Sequence, residues 1–143
     1  MLEDYYMKIT GSCFCGDITY EATTQNNNVI VCHCSDCQRM SSGPFRAVVI
    51  ADPNSVDFTK GQPKEYVKTA QSGNKRAQGF CANCGTSLYA TNESPIDRIY
   101  GLRLGSIDQR DLFKPSIQIW TKSALPWLDD LHHVDAFDST PKN

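Results

Sequence analysis

Val29-Ile30-Val31-Cys32-His33-Cys34-Ser35-Asp36-Cys37-Gln38 runs a short apolar segment into a turn that carries three cysteines within six residues. On an extended chain Cys32 and Cys34 project to one face. Cys37 follows after the turn. Ser35 and Gln38 have the S-x-x-Q spacing of a capping box, which predicts a helix start with Ser35 as its cap. Cys34 and Cys37 then lie beside free backbone N–H groups at a helix N-terminus, where a thiolate is favoured over a thiol. Three thiolates facing one point make a metal site that is one ligand short.

Working outward, the other four cysteines fall into two knuckles, Cys13-Phe14-Cys15-Gly16 and Cys81-Ala82-Asn83-Cys84-Gly85. Each ends on a glycine able to take the positive φ of a tight turn. Zinc bound by four sulfurs at about 2.3 Å needs neighbouring sulfurs under about 4 Å apart, which both spacings permit. Brought together by a sheet, the two pairs make a closed four-thiolate site of structural type. A disulfide framework fits poorly, because the seven cysteines are odd in number and a bridge across a C-x-C pair is strongly strained.

Cys32, Cys34 and Cys37 remain as a separate set. Catalytic zinc typically has three protein ligands and an open position. With three thiolates it is a weak activator of water but accepts a further sulfur readily, which points to a thiol substrate rather than to hydrolysis. Other readings stay open here. Cys34-x-x-Cys37 has the spacing of a redox dithiol, although no βαβ pattern surrounds it. His33 is a fourth-ligand candidate, although a side chain between Cys32 and Cys34 on a strand points to the opposite face. His132 or His133 could reach in from the C-terminal segment.

Most of the remaining chain reads as short strands. Asp17–Ala22 alternates polar and apolar, and Val29–Val31 is the apolar lead-in already quoted. Phe45–Ala51 is rich in β-branched residues, with Arg46 its one charge. Val56–Phe58, Glu65–Val67, Lys75–Phe80, Thr86–Ala90, Ile99–Leu104 and Ser116–Thr121 follow, separated by Gly, Pro and Asn turns. Pro126–Leu131 suggests a turn of helix. The expectation is one mainly β domain over residues 1–143, with its core at about 8–137 and a frayed tail at 138–143.

The chain has 143 residues and a net charge of −2, with a pI near 5.8. That balance argues against a general nucleic-acid or membrane-surface binder, and Lys60, Lys64, Lys68, Lys75 and Arg76 are scattered along the sequence. No apolar run is long enough to span a bilayer, and Met1–Lys8 lacks the apolar stretch of a signal peptide. The expected location is the cytoplasm, where cysteines serve as metal ligands or reactive thiols. The sequence gives no reading of oligomeric state.

Gly11-Ser12-Cys13-Phe14-Cys15-Gly16, Cys32-His33-Cys34-Ser35-Asp36-Cys37-Gln38-Arg39 and Phe80-Cys81-Ala82-Asn83-Cys84-Gly85-Thr86, with Ile117-Gln118-Ile119-Trp120 and Pro126-Trp127 closing the pattern, together resemble the glutathione-dependent formaldehyde-activating enzyme family. The resemblance spans about Gly11 to Phe137. It departs at Ser12, where the family often has glycine. It implies a β-tent fold, two antiparallel sheets joined at a zinc site, shared with methionine sulfoxide reductase B. It also implies structural zinc on Cys13, Cys15, Cys81 and Cys84, and a second, exchangeable zinc on Cys32, Cys34 and Cys37 where glutathione sulfur binds. The implied reaction adds glutathione to formaldehyde to give S-(hydroxymethyl)glutathione. In reverse it is a carbon–sulfur lyase reaction, and its implied role is detoxification.

Arg39, Arg46 and Arg103 are candidate anchors for the glutathione carboxylates, because guanidinium suits bidentate carboxylate binding. Trp120 and Trp127 are read as core or pocket wall. The rival readings are a non-catalytic glutathione- or zinc-binding module, another thiol and aldehyde pair, and methionine sulfoxide reduction. The last needs a lone cysteine outside the metal sets.

Overall fold

The structure is a computed structural model that describes residues 7–141. The expectations for the first six residues and for the last two of the tail lie outside the described residues. Strands β1 (Met7–Ser12), β2 (Thr19–Thr24) and β5 (Asp57–Lys60) form a small sheet in the order β1-β2-β5. The larger sheet uses β3 (Asn28–Cys32), β4 (Arg46–Ile50), β6 (Lys64–Thr69), β7 (Lys75–Phe80), β8 (Ser87–Asn92), β9 (Gly101–Arg103) and β10 (Lys114–Ile119). Its strand order is β10-β3-β4-β9-β8-β7-β6. One α-helix, α1 (Ser35–Ser41), interrupts the strands, and short 3₁₀ turns follow β9 and β10, including Leu128–His133 close to the expected helical turn. The molecule is mainly β, with two sheets that do not close into a barrel.

Two features depart from the sequence reading. β1 was not foreseen. β10 pairs with β3 in parallel, whereas every other strand pair is antiparallel. The cause is where the chain re-enters. The Lys114 amide donates to the Asn27 carbonyl at 3.1 Å, at the end where β3 begins, so β10 must run alongside β3 in the same direction.

Strand pleating divides the residues of the large sheet between two faces. Val29, Val31, Val49, Tyr89 and Leu102 turn inward, joined by Leu88 at the bulge in the β7–β8 pairing, and pack with Ile9, Tyr20 and Ala22 of the small sheet. Each such burial contributes about 1.5–3 kcal/mol for the larger side chains. Phe58, Tyr89 and Tyr100 close one end of this core, the last two edge to face with centroids 4.8 Å apart. On the opposite face, cross-strand partners carry a different set. Cys32 pairs with Arg46, Val48 with Arg103, Ala90 with both Gly101 and Gln78, and Arg76 with Lys68. Partners share a face and alternate residues repeat it, so Cys32, Arg46, Arg103, Gln78, Arg76 and Lys68 all lie on the outer face, the one that α1 approaches.

Candidate functional site

The sheets meet at a cysteine cluster. Cys13 and Cys15 follow β1 directly, and Cys81 and Cys84 occupy the turn between β7 and β8. Their four sulfurs lie within 4.8 Å of one another. Cys13 Sγ is 3.7 Å from Cys15 Sγ, which is 3.8 Å from Cys81 Sγ. Tetrahedral zinc with sulfurs at about 2.3 Å requires neighbours about 3.8 Å apart, so the donor set fits the metal as it stands. Both knuckle glycines adopt the expected left-handed turn, with φ +83° at Gly16 and +82° at Gly85.

Donors surround these sulfurs. The Ile18 amide donates to Cys13 Sγ at 3.3 Å, Asn83 Nδ2 to Cys15 Sγ at 3.3 Å and the Cys84 amide to Cys81 Sγ at 3.5 Å. Hydrogen bonds from the Thr86 hydroxyl and backbone draw the Cys84 thiol down to about 5. Despite hydrogen bonds from Asn83 and the Asp17 backbone, partial desolvation and the adjoining Cys13 and Cys84 push Cys15 up to about 11. Crowded thiols thus ionise at one another's expense, a conflict that a shared cation removes.

The second set lies on the outer face of the large sheet. Cys32 ends β3, Cys34 caps α1 and Cys37 sits in the first turn of the helix, with all three sulfurs within 4.8 Å of one another. Cys32 and Cys37 are buried, whereas Cys34 is partly open. The cap is Cys34, not Ser35. Its sulfur accepts the Cys37 amide at 3.3 Å, which displaces the foreseen capping box by one residue. Gln38 instead reaches back past the cap. Its Nε2 donates to the His33 carbonyl at 2.8 Å and to the Ser123 carbonyl at 3.0 Å. Burial first, then hydrogen bonding with Cys34, pushes the Cys37 thiol up to about 12. At Cys34 burial opposes ionisation, but hydrogen bonds from Cys37 and Cys32 and the Lys68 charge together lower the thiol below its ordinary value. The conflict seen at the first cluster recurs here, and the donors again fit a metal held on thiolates.

No histidine completes this set. His33 is buried, stacks edge to face on Phe45 and places Nε2 2.8 Å from Gln118 Oε1. His132 and His133 lie against each other on the exposed C-terminal segment, outside both clusters.

A cleft of about 430 Å³ opens beside Cys34, lined among others by Lys68, Gln71, Trp120, Lys122 and Ser123. Trp120 takes a left-handed backbone conformation, with φ +57°, and Lys122 Nζ sits 5.0 Å from its ring centroid. Lys68 reaches across from β6 to Asp36 of α1 at 2.9 Å. A groove of about 520 Å³ elsewhere is lined by Ile30, Ile50, Ile99 and Ile117. It is larger but holds no sulfur, so the site belongs at the cleft that contains Cys34.

Of the three foreseen arginines, Arg39 is exposed on α1 beside Gln38 and Ser42. Arg46 is half-buried, and Arg103 is only 7% exposed. Arg103 Nε donates to Ser87 Oγ at 3.2 Å and Nη2 to Gln78 Oε1 at 2.7 Å. Burial above all, then the Arg46 charge, lowers the Arg103 guanidinium to about 9, with Cys37 opposing. Lys68, Lys122 and Arg76 were not singled out for the site from sequence. The signal for Lys68 and Arg76 was their cross-strand pairing in the β6–β7 hairpin.

Two open sheets clamped at a four-thiol cluster, with a second thiol set at the mouth of a cationic cleft, define a β-tent chain able to hold metal on thiolates. Within that class, the chain belongs to the glutathione-dependent formaldehyde-activating enzyme family, whose profile matches residues 8–123. A curated protein of Schizosaccharomyces pombe, named as an uncharacterized lyase, is 33% identical over 79 residues. The match covers 55% of this chain and 54% of that protein, so the chain spans about half the length of this relative. A crystal structure of a Rhodobacter sphaeroides protein shares the fold, with a TM-score of 0.57 and 21% identity over 78% of this chain and 99% of the other.

Proposed function

We propose that this protein is a carbon–sulfur lyase and synthase that joins a small thiol to formaldehyde, with glutathione as the thiol and S-(hydroxymethyl)glutathione as the product. One observation carries the reading: three converging cysteines, two buried and one open to a cationic cleft, stand apart from a closed four-cysteine cluster. The family match and the lyase name of the yeast protein support it.

Cys13, Cys15, Cys81 and Cys84 would hold a structural zinc, and Cys32, Cys34 and Cys37 a second, exchangeable one. A zinc there would supply acidity to a bound thiol and favour its thiolate. The chain does the rest. Cys34, the partly open member, presents the site to the cleft, and Trp120 walls the space where the thiol's body lies. Lys68 and Lys122 offer positive charge to the glutathione carboxylates within the cleft, while Arg39, Arg46 and Arg103 supply it from the flank and from beneath. In the addition, the thiol sulfur forms the new C–S bond and the carbonyl π pair moves to oxygen. The proton lost from sulfur is returned to that oxygen through water. Formaldehyde reacts with thiols unaided, so the protein's contribution is proximity and thiolate fraction.

No helix among the described residues is long and apolar enough to cross a membrane. Seven free thiols suit a reducing compartment, and the cytoplasm is the proposed location. Because all seven fall in the two clusters, none remains as the lone nucleophile that methionine sulfoxide reduction needs.

The test is the rate of adduct formation at fixed free glutathione and formaldehyde, with and without the zinc-loaded protein. Acceleration that disappears in Cys34→Ser supports the enzyme. A rate equal to background, with glutathione still bound, leaves a carrier of the same fold and overturns catalysis.

A further inference from the structure

Arg46, Arg76 and Arg103 come from three strands yet share the outer face of the large sheet, and they lie close enough for their charges to act on one another. No acid answers them. The three ion pairs among the described residues join Lys8 to Glu21, Lys68 to Asp36 and Arg98 to Glu65, and none involves this group. Arg103 is more than nine-tenths buried, and its Nη1 has no partner; the buried Nε of Arg46 has none either. A buried cation without a counter-ion is costly, so a cluster of three calls for negative charge close by. Arg46 is the cross-strand partner of Cys32, on the face to which Arg103 also belongs. The arginines therefore form a floor under the three-cysteine site.

Charge balance then says what the site lacks. Three thiolates around one zinc(II) carry a single net negative charge, which leaves two of the three guanidinium charges uncompensated. We infer that Arg46, Arg76 and Arg103 make the open position of the three-cysteine site an anion position, one that takes a thiolate or another monoanion in preference to any neutral ligand. The inference rests on the proposed metal occupancy of that site and adds the class of ligand it accepts. It also assigns Arg76 a role, and it gives Arg46 and Arg103 one that requires no direct contact with the substrate.

The full chain loaded with cobalt(II) at both clusters reports ligand binding through its visible absorption. Thiocyanate serves as the anionic probe and imidazole as the neutral one. In the wild type, thiocyanate changes the spectrum of the three-cysteine site and Cys34→Ser abolishes the change. Arg103→Gln weakens thiocyanate binding about tenfold, the scale of one unit charge acting at short range through a partly buried medium. Imidazole binding changes less than twofold. Arg46→Gln and Arg76→Gln, at half-buried positions, act in the same direction and keep the test valid should the buried variant fail to fold. Arg46→Lys, which keeps the charge, restores thiocyanate affinity. Equal weakening of both probes, no weakening of either, or a wild type that binds imidazole but not thiocyanate overturns the inference alone. A protein that takes up one cobalt per chain overturns the metal reading of the three-cysteine site, and the inference falls with it.

Discussion

The two cysteine clusters use the same donor atom and the same C-x-C and C-x-x-C spacings, yet the protein surrounds them differently. At the four-cysteine cluster, short hydrogen bonds from Ile18, Asn83 and Cys84 reach the sulfurs directly, and the cluster ties one sheet to the other. At the three-cysteine cluster, one amide, that of Cys37, reaches a sulfur. The remaining compensation comes as charge, from arginines spread along the outer face of a single sheet. Direct hydrogen bonds orient the sulfurs and offset their charge, and four sulfurs already fill a tetrahedral set. Charge acting at a distance favours an anion without occupying a coordination position, which suits a set meant to receive a ligand.

This contrast is broken or sharpened most severely by removing one sulfur from each cluster. Cys81→Ser takes a buried sulfur from the joint between the sheets. Binding of structural zinc contributes on the order of 10 kcal/mol to small domains, so this variant is expected to lose both its metal and its cooperative melt. Cys34→Ser removes a partly open ligand from one sheet alone. It should keep a melt near that of the wild type and lose one metal of two. Metal stoichiometry read beside thermal unfolding checks both, and identical unfolding of the two variants would erase the division of labour.

The sequence announced this pair of clusters plainly, since cysteine spacing is local and needs no fold to be read. Strand identities were legible wherever apolar and polar residues alternate, as from Asp17 to Ala22. β1 was not, for a physical reason. Its inward positions include Gly11, which must stay bare because the Tyr20 ring of the paired strand lies against it, so the apolar period drops a beat. The parallel pairing of β10 with β3 depends on where a long connection re-enters, which periodicity does not encode. The cap at Cys34 was hidden by habit of residue type: a cysteine sulfur took the place that Ser35 normally would. The arginine floor was illegible for a different reason, because Arg46, Arg76 and Arg103 become neighbours only once strand order is known.

A smaller effect is expected at the cleft. Lys68 is held by Asp36 and Lys122 lies over Trp120, so each offers a partly engaged charge to a substrate carboxylate. Exposed charge pairs contribute up to about 1 kcal/mol each. Lys68→Ala combined with Lys122→Ala should raise KM for glutathione about tenfold, while a small uncharged thiol such as 2-mercaptoethanol changes little. Equal losses for both thiols would move the carboxylate contacts elsewhere, with Arg39 and Arg46 next to be replaced. Neither outcome should touch the four-cysteine cluster, and the melt of the double variant monitors that.

Gln38 supports the finest distinction between the two clusters. The four-cysteine cluster is built into two sheets, whereas the wall of the cleft beside Cys34 is fastened by one amide nitrogen that bridges the carbonyls of His33 and Ser123. His33 precedes Cys34, and Ser123 ends the short turn that carries Lys122 and follows directly on Trp120, which fixes the direction of the chain. In Gln38→Ala both carbonyls turn to water, at about 1 kcal/mol for each hydrogen bond lost. The expected result is a few-fold rise in KM, a shift in tryptophan fluorescence and a melt lowered by a few degrees, with both metals retained. Gln38→Glu should do no better than alanine, because a carboxylate has no proton to give either carbonyl at neutral pH. A Gln38→Ala variant with unchanged KM and fluorescence would mean that the backbone of the Trp120 turn holds itself in place, and that the cleft is as firmly built as the joint between the sheets.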